Sequence, residues 1–314
     1  MKLPSLIFHP DYTYPLPAGH RFPMGKFGRI REVLIEDGVA PASAFIAPEP
    51  ISRDRLEAAH TPAYVEAIMT LSLSRAAERR LGLPLSEALV RRARAATGGT
   101  LLTARLALEH GLACNMAGGS HHAHPDHGAG FCVFNDVAVA IRALQSEQRV
   151  GRVLVFDLDV HQGDGTAAFF TDDPNVFTCS IHCEANYPHQ KAVSDLDLGL
   201  PPGTDDDAYL ALVHDTFGAL LDRVRPDLVF YNAGVDPHLD DSLGQLALSD
   251  EGLMARDRHV VGTCMKSGVP LACVVGGGYG PDLDTLARRH STVHRAAIAL
   301  GAGHEYRPLA PAAA

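Results

Sequence analysis

Short, nearly uninterrupted apolar runs recur along the chain at Leu112–Ala117, Val153–Phe156, Val176–Ile181, Leu228–Tyr231 and Leu271–Val275. Each is too short for a helix and lacks the alternation of a half-exposed strand, so each predicts a parallel strand buried on both faces. Between the runs, apolar positions return at helical spacing. Residues 205–224 set Leu210, Val213, Phe217, Leu220 and Val224 on one face, with Thr204 as the expected N-cap and Asp205 to Asp207 in the first turn. Residues 86–110, 136–147, 250–267 and 282–300 read as further helices, capped by Ser86, Asn135 and Ser249 where a cap is visible. Strand and helix alternate, which predicts a single-domain α/β fold: a mainly parallel sheet with helices on both faces. No Gly/Ser/Pro-rich linker divides the chain, so residues 1–305 read as one domain and 306–314 as a tail, with the Pro/Ala stretch from Pro308 expected to fray.

The residues that follow each run are polar, ionisable or glycine-rich. They read Gly118-Gly119-Ser120-His121-His122, Asp157-Leu158-Asp159-Val160-His161, Ser180-Ile181-His182, Asn232-Ala233-Gly234-Val235-Asp236 and Gly276-Gly277-Gly278-Tyr279. Ligand sites of open α/β sheets lie beyond the carboxyl ends of the strands, so five strands are expected to deliver chemistry to one edge.

Composition narrows the ligand. Asp and Glu outnumber Lys and Arg by 37 to 27, a formal charge of −10, which argues against a surface built to neutralise nucleic-acid phosphates. Histidine occupies 17 of the 314 positions, four of them within His121–His127, which suggests metal or proton chemistry. The six cysteines form no C-x-x-C pair and most sit in apolar stretches, so buried reduced thiols and a cytoplasmic location are expected. The N-terminal apolar stretch is interrupted at His9, Pro10 and Asp11, so no signal peptide is expected, and no run is long enough to predict a membrane span.

Asp157, Asp159 and His161 are spaced i, i+2, i+4, and on an extended backbone they project to one side. Two carboxylates and an imidazole on one face are costly to bury without a compensating cation or hydrogen-bond partners. A Zn²⁺ ion accepts both donor types, and Asp236 offers a further carboxylate from another strand; three protein ligands leave a coordination position open for water and substrate. A hydrogen-bonded loop is the alternative. His121 and His122 are adjacent, so on an extended backbone they face opposite ways and do not chelate one ion together. Beside a metal site a neutral imidazole can act as general base and then protonate a leaving amine, with Asp157 and Asp164 as carboxylates that fix the ring tautomers. Gly276 to Gly280 lacks both the Lys-Ser/Thr of a P-loop and G-x-G-x-x-G spacing, so nucleotide binding is weakly supported. The glycines suit a backbone that swings Tyr279 toward the metal, where a phenol can stabilise an oxyanion; a plain strand-to-helix turn is the alternative.

At this point the chain resembles the zinc-dependent histone deacetylase superfamily, which has the arginase-like α/β fold. The resemblance runs from about His9 to about Ser291 and rests on four blocks in the family's order. These are Gly118 to Ala123 with Gly130-Phe131-Cys132, Asp157 to Thr166, Ala233 to Asp236, and Gly277-Gly278-Tyr279. It implies hydrolysis of an acetyl or longer acyl amide on the lysine side chain of a protein or peptide. One zinc ion per chain is implied on Asp159, His161 and Asp236. By the same carry-over His121 pairs with Asp157 and His122 with Asp164, His122 being the main general base and acid, while Tyr279 polarises the acyl carbonyl. Gly130 and Phe131, with Tyr187 opposite, are implied to line a narrow tunnel for the lysine stem. A structural K⁺ is implied near Asp157, Asp159, His161, Ser180 and Ile181. Gln162 stands where most members have a second histidine and, with Tyr231 to Gly234, is similar to the class IV branch. Three other readings compete: an amidohydrolase for small acylated amines such as acetylpolyamines, an arginase-type two-metal ureohydrolase, and a metal- or protein-binding module without turnover.

Overall fold

The protein is described by a computed structural model covering residues 3–301. Its strands are β1 (Ser5–Ile7), β2 (Phe45–Ile46), β3 (Leu112–Asn115), β4 (Val153–Asp157), β5 (Val176–Cys183), β6 (Leu196–Leu200), β7 (Leu228–Asn232) and β8 (Leu271–Val274). They form one sheet in the order β2-β1-β3-β8-β7-β4-β5-β6, and every neighbouring pair is parallel. Every residue of β3, β4, β7 and β8 is buried. Successive side chains of a strand point to opposite faces, so both faces of the central sheet are covered, as the uninterrupted apolar runs require.

The covering helices are α1 (Lys26–Glu36), α2 (Arg53–Glu57), α3 (Pro62–Met69), α4 (Arg75–Leu81), α5 (Glu87–His110), α6 (Asp136–Ser146), α7 (Asp164–Phe170), α8 (Asp206–Val224), α9 (Asp250–Ser267), α10 (Leu283–His290) and α11 (Thr292–Gly301). Ser86, Asn135 and Ser249 cap α5, α6 and α9 by accepting from the amides of Leu89, Ala138 and Gly252. Two expectations are corrected. Asp205, not Thr204, caps α8, accepting from Ala208, while the Thr204 hydroxyl is drawn away to donate to the Pro201 carbonyl at 2.7 Å. The segment expected as one helix over 282–300 breaks at Ser291. There the Ser291 and Thr292 hydroxyls donate to the Arg288 and Arg289 carbonyls at 2.6 and 2.8 Å, and Thr292 also reaches Asp257, an alternative to continuing the helical ladder.

All six cysteines are buried and free. No described helix is long and apolar enough to cross a membrane. The tail 306–314 lies outside the described residues.

The chain leaps from β3 over two strand positions to β4, and β7 and β8 later fill the gap. The strand order therefore reverses at β3-β8-β7-β4, and the four loops that leave these neighbours meet beyond one edge of the sheet.

Candidate active site

The end of β4 does not run on as an extended strand. Asp157 Oδ1 accepts from the Asp159 amide at 3.1 Å and Asp159 Oδ1 from the His161 amide at 3.0 Å, so the backbone curls and the three side chains separate. Asp157 turns toward His121 in the loop after β3, and its register partner on β7, Asn232, donates to its Oδ1 at 2.9 Å. Asp159 and His161 turn toward the loop after β7, where they meet Asp236. The i, i+2, i+4 geometry is thereby corrected: the buried trio is Asp159, His161 and Asp236, whose ligand atoms all lie within 4.8 Å of one another.

This trio has the chemistry of a divalent-cation site. His161 Nδ1 lies 3.0 Å from Asp159 Oδ1 and 3.1 Å from Asp236 Oδ2, so two carboxylates converge on one nitrogen in a dry interior. Burial lowers the proton affinity of His161, but the bonds to Asp159 and Asp236 outweigh it and hold the imidazole up at about 10. Burial and the Asp159 charge push Asp236 up to about 7. Positive charge is thus demanded at one point, supplied by a proton when no cation is there. Backbone crowds the trio closely. A Cβ at Gly277 would stand 2.0 Å from Asp236 Oδ2, and the Gly277 amide donates to Asp159 Oδ2 at 2.6 Å.

The tandem histidines each carry their own carboxylate. His121 Nδ1 is 2.7 Å from Asp157 Oδ2, and His122 Nδ1 is 2.6 Å from Asp164 Oδ1 at the start of α7. A carboxylate accepts, so each ring holds its proton on Nδ1 and keeps Nε2 for other chemistry. Their surroundings separate the two. Burial lowers His121, but Asp157 and Asp159 prevail and raise it to about 9. Burial lowers His122 as well, the charge on His121 adds to that, and Asp164 recovers only part, leaving it at about 4. A neutral imidazole next to a charged one is the pairing that proton transfer needs. A Cβ at Gly130 would lie 2.5 Å from the His122 ring, so glycine there lets the chain press against it.

Tyr279 follows the glycine loop at the end of β8 and is buried, its ring centroid 6.2 Å from that of His161. Burial, then the Asp236 and Asp159 carboxylates, push its phenol well above the usual range, so it remains a donor. Two distant residues hold this loop. Asp241 accepts from the Tyr279 amide at 2.6 Å, and the fully buried Lys26 of α1 donates to the Gly276 and Gly278 carbonyls at 3.3 and 3.1 Å. Neither stands out in the sequence; a lysine on the buried face of an amphipathic helix is the one signal that marks Lys26.

The rings expected to face each other pack on different neighbours. Phe131 lies 6.0 Å from Tyr279 and 5.2 Å from Phe22, while Tyr187 stands edge-on to His122 at 4.8 Å. A narrow cavity of about 30 Å³ is bordered by Phe22, Phe131, His121, His122, Gly276 and Tyr279. Gln162 uses both ends of its amide. It donates to the Ala192 carbonyl and Asp197 at 2.9 and 2.7 Å and accepts from the Ala192 amide at 2.8 Å, tying the loop after β5 to the β4 turn. Of the residues expected to hold K⁺, Ser180 on β5 is the register partner of Asp157 at the end of β4, with Ile181 next to it; the Ser180 hydroxyl lies 3.0 Å from His182 Nδ1.

Comparison with known proteins gives a consistent result. The histone deacetylase domain matches residues 20–296. An uncharacterised protein of Picosynechococcus is 53% identical over 93% of this chain and 97% of its own. Histone deacetylase 2 of Arabidopsis thaliana is 31% identical, over 83% of this chain and 70% of its own. Among solved structures, an HDAC homolog complexed with SAHA superposes with a TM-score of 0.79 at 25% identity, covering 95% of this chain and 84% of its own.

Proposed function

The chain belongs to the histone deacetylase family, and from that premise we propose that it is a zinc-dependent hydrolase of N-acyl-lysine amides in proteins or peptides. The observation that carries the reading is the buried Asp159, His161 and Asp236 trio flanked by two histidine–carboxylate pairs and a buried tyrosine. Zinc held by the trio would supply Lewis acidity, bringing the pKa of water down to about 7 and drawing electron density from an amide carbonyl. His122, neutral and oriented by Asp164, takes a proton from the attacking water at Nε2 and returns it to the departing lysine amine. His121, charged and paired with Asp157, holds positive potential beside the reaction. The Tyr279 phenol donates to the carbonyl oxygen as negative charge gathers on it. Water adds across the C–N bond, releasing a carboxylic acid and a free amine. Phe131 and Gly130 on one side and Tyr187 on the other are assigned to the passage for the lysine stem, and a structural K⁺ to Asp157, Asp159, His161, Ser180 and Ile181.

The two-metal ureohydrolase reading needs further bridging carboxylates, and it is disfavoured by Asp157, the buried carboxylate at the end of β4. Its oxygens are taken by His121, Asn232 and the Asp159 amide. Hydrolysis by the zinc-loaded protein of an acetyl-lysine peptide, longer acyl-lysine peptides and N-acetylated polyamines tests the substrate class. Turnover of acyl-lysine peptides is expected; turnover of acetylpolyamines alone would move the assignment to a small-molecule amidohydrolase.

A further inference from the structure

Arg92 of α5 borders the same narrow cavity as His121, His122, Phe131 and Tyr279, and the mechanism above gives it no role. The residue is only 6% exposed. Among the described residues it forms no salt bridge, and its buried Nε has no hydrogen-bond partner. Asp136, a carboxylate whose charge reaches it, is committed elsewhere: its oxygens accept from the Thr100 hydroxyl at 2.5 Å and from the Ser120 and Gly119 amides at 2.8 and 3.1 Å. Two aromatic faces hold the guanidinium instead, its Cζ lying 4.6 Å from the Phe27 ring centroid and 5.7 Å from that of Phe22. Burial lowers its proton affinity, yet an arginine stays charged in a protein. A buried charge without a counter-ion is costly, so this wall of the cavity demands an anion. A second polar atom is orphaned nearby. The Tyr14 hydroxyl is buried without a hydrogen-bond partner, and its ring stands close enough for the Arg92 charge to act on it. Burial holds that phenol above its ordinary value, so it remains a donor.

Resting on the deacylase reading, we propose that this wall selects the acyl group: the substrate class is lysine bearing a short acyl chain that ends in a carboxylate, such as succinyl-lysine, and Arg92 binds the terminal carboxylate. A guanidinium fork can take both oxygens of a carboxylate, and Tyr14 offers a further donor. The cavity of about 30 Å³ suits a chain of few atoms. An uncharged chain of equal length would press against the guanidinium and leave it unpaired, which selects against that chain. The bond changes are those of any acyl-lysine amide. The C–N bond breaks, the hydroxyl of the water joins the carbonyl carbon and its remaining proton goes to the nitrogen, so succinyl-lysine yields lysine and succinate.

The test compares one peptide carrying succinyl-lysine, its uncharged terminal amide succinamoyl-lysine, or acetyl-lysine. With zinc-loaded wild type, kcat/KM for the succinyl peptide is expected to exceed that for the succinamoyl peptide roughly 10–100-fold, the scale of hydrogen bonds to a charged group. Arg92→Met, whose apolar stem still fits between Phe22 and Phe27, is expected to bring the ratio close to one. Tyr14→Phe is expected to lower it part of the way, and it reads the site should Arg92→Met fold poorly. Equal kcat/KM for the two peptides in wild type overturns the inference, as does a preference that Arg92→Met retains. Acetate inhibition of acetyl-lysine turnover that Arg92→Met relieves, without a succinyl preference, would place the released acid at Arg92 and also overturn it. Turnover of acetyl-lysine with no succinyl preference leaves the deacylase reading standing and removes only this inference. Binding of fluorescein-labelled peptides to metal-free protein, read by anisotropy, does not depend on turnover: tighter binding of the succinyl than of the succinamoyl peptide, lost in Arg92→Met, supports the carboxylate site even if no lysine amide is hydrolysed.

Discussion

Tyr279 and His122 are the side chains on which turnover depends most. The phenol is held protonated by burial and by the Asp236 and Asp159 carboxylates, and His122 is held neutral by burial and the His121 charge. Tyr279→Phe is expected to lower kcat roughly 10²–10³-fold, as for loss of one oxyanion donor, and His122→Ala about 10²–10⁴-fold, as for loss of a general base. Circular dichroism should be unchanged in both; near-wild-type turnover in either folded variant contradicts its role. Gly277→Ala tests the metal trio differently, because its Cβ would stand 2.0 Å from Asp236 Oδ2. Zinc affinity measured by competition with a chelator should fall, and unchanged affinity would show that the trio is not the binding site. At this scale the sequence was most informative where chemistry is local: D-x-D-x-H and the tandem histidines announced themselves by spacing. It misled where backbone curls, since Asp157 leaves the line of Asp159 and His161 to serve His121. Lys26 is marked only by its place on the buried face of α1, because its contacts with Gly276 and Gly278 are made by folding alone.

His60 shows how an element is stitched to the site. Its Nε2 accepts from the Asn135 amide at 3.0 Å at the start of α6, while Nδ1 faces the His124 carbonyl at 3.0 Å. Both bonds require the neutral ring, and burial pulls His60 down to about 4. Above the ordinary histidine value of about 6.5 neither folded nor unfolded chain takes up this proton. Between there and about 4 the unfolded chain takes it and the folded one resists, so stability falls with pH, by an order-of-magnitude cost of about 3 kcal/mol for this residue. Urea unfolding of metal-free protein at pH 7 and pH 4.5 should show the decline, and His60→Gln, which keeps an acceptor and a donor, should lessen it. An equal decline in the variant would place the acid sensitivity elsewhere. The elements that sequence reasoning found are those with strong local signals: five buried apolar strands and the capped helices α5, α6 and α9. The short β1 and β2 and the half-exposed β6 carry too few apolar residues to register, and α1 follows Gly25, which offers no side-chain cap. The α10–α11 break turned on hydroxyl bonds that helical periodicity does not reveal.

Across the whole molecule, the parallel sheet gathers the ends of β3, β8, β7 and β4 because the strand order reverses there, and all the proposed reacting groups are carried by the segments that leave those four strands. The alternation of apolar runs and helices made the fold class legible; which strands become neighbours was not, because strand order depends on long-range crossovers. A net charge of −10 suits a cationic lysine-bearing substrate better than a nucleic acid. One zinc ion on Asp159, His161 and Asp236 is proposed to drive acyl-lysine hydrolysis. The most direct test is to titrate metal-free protein with Zn²⁺ while following hydrolysis of an acetyl-lysine peptide, with Asp236→Asn as the paired variant. Activity is predicted to rise from near zero and break at one zinc per chain, with the variant flat over the same range; activity independent of zinc, or a break at two ions per chain, would contradict it.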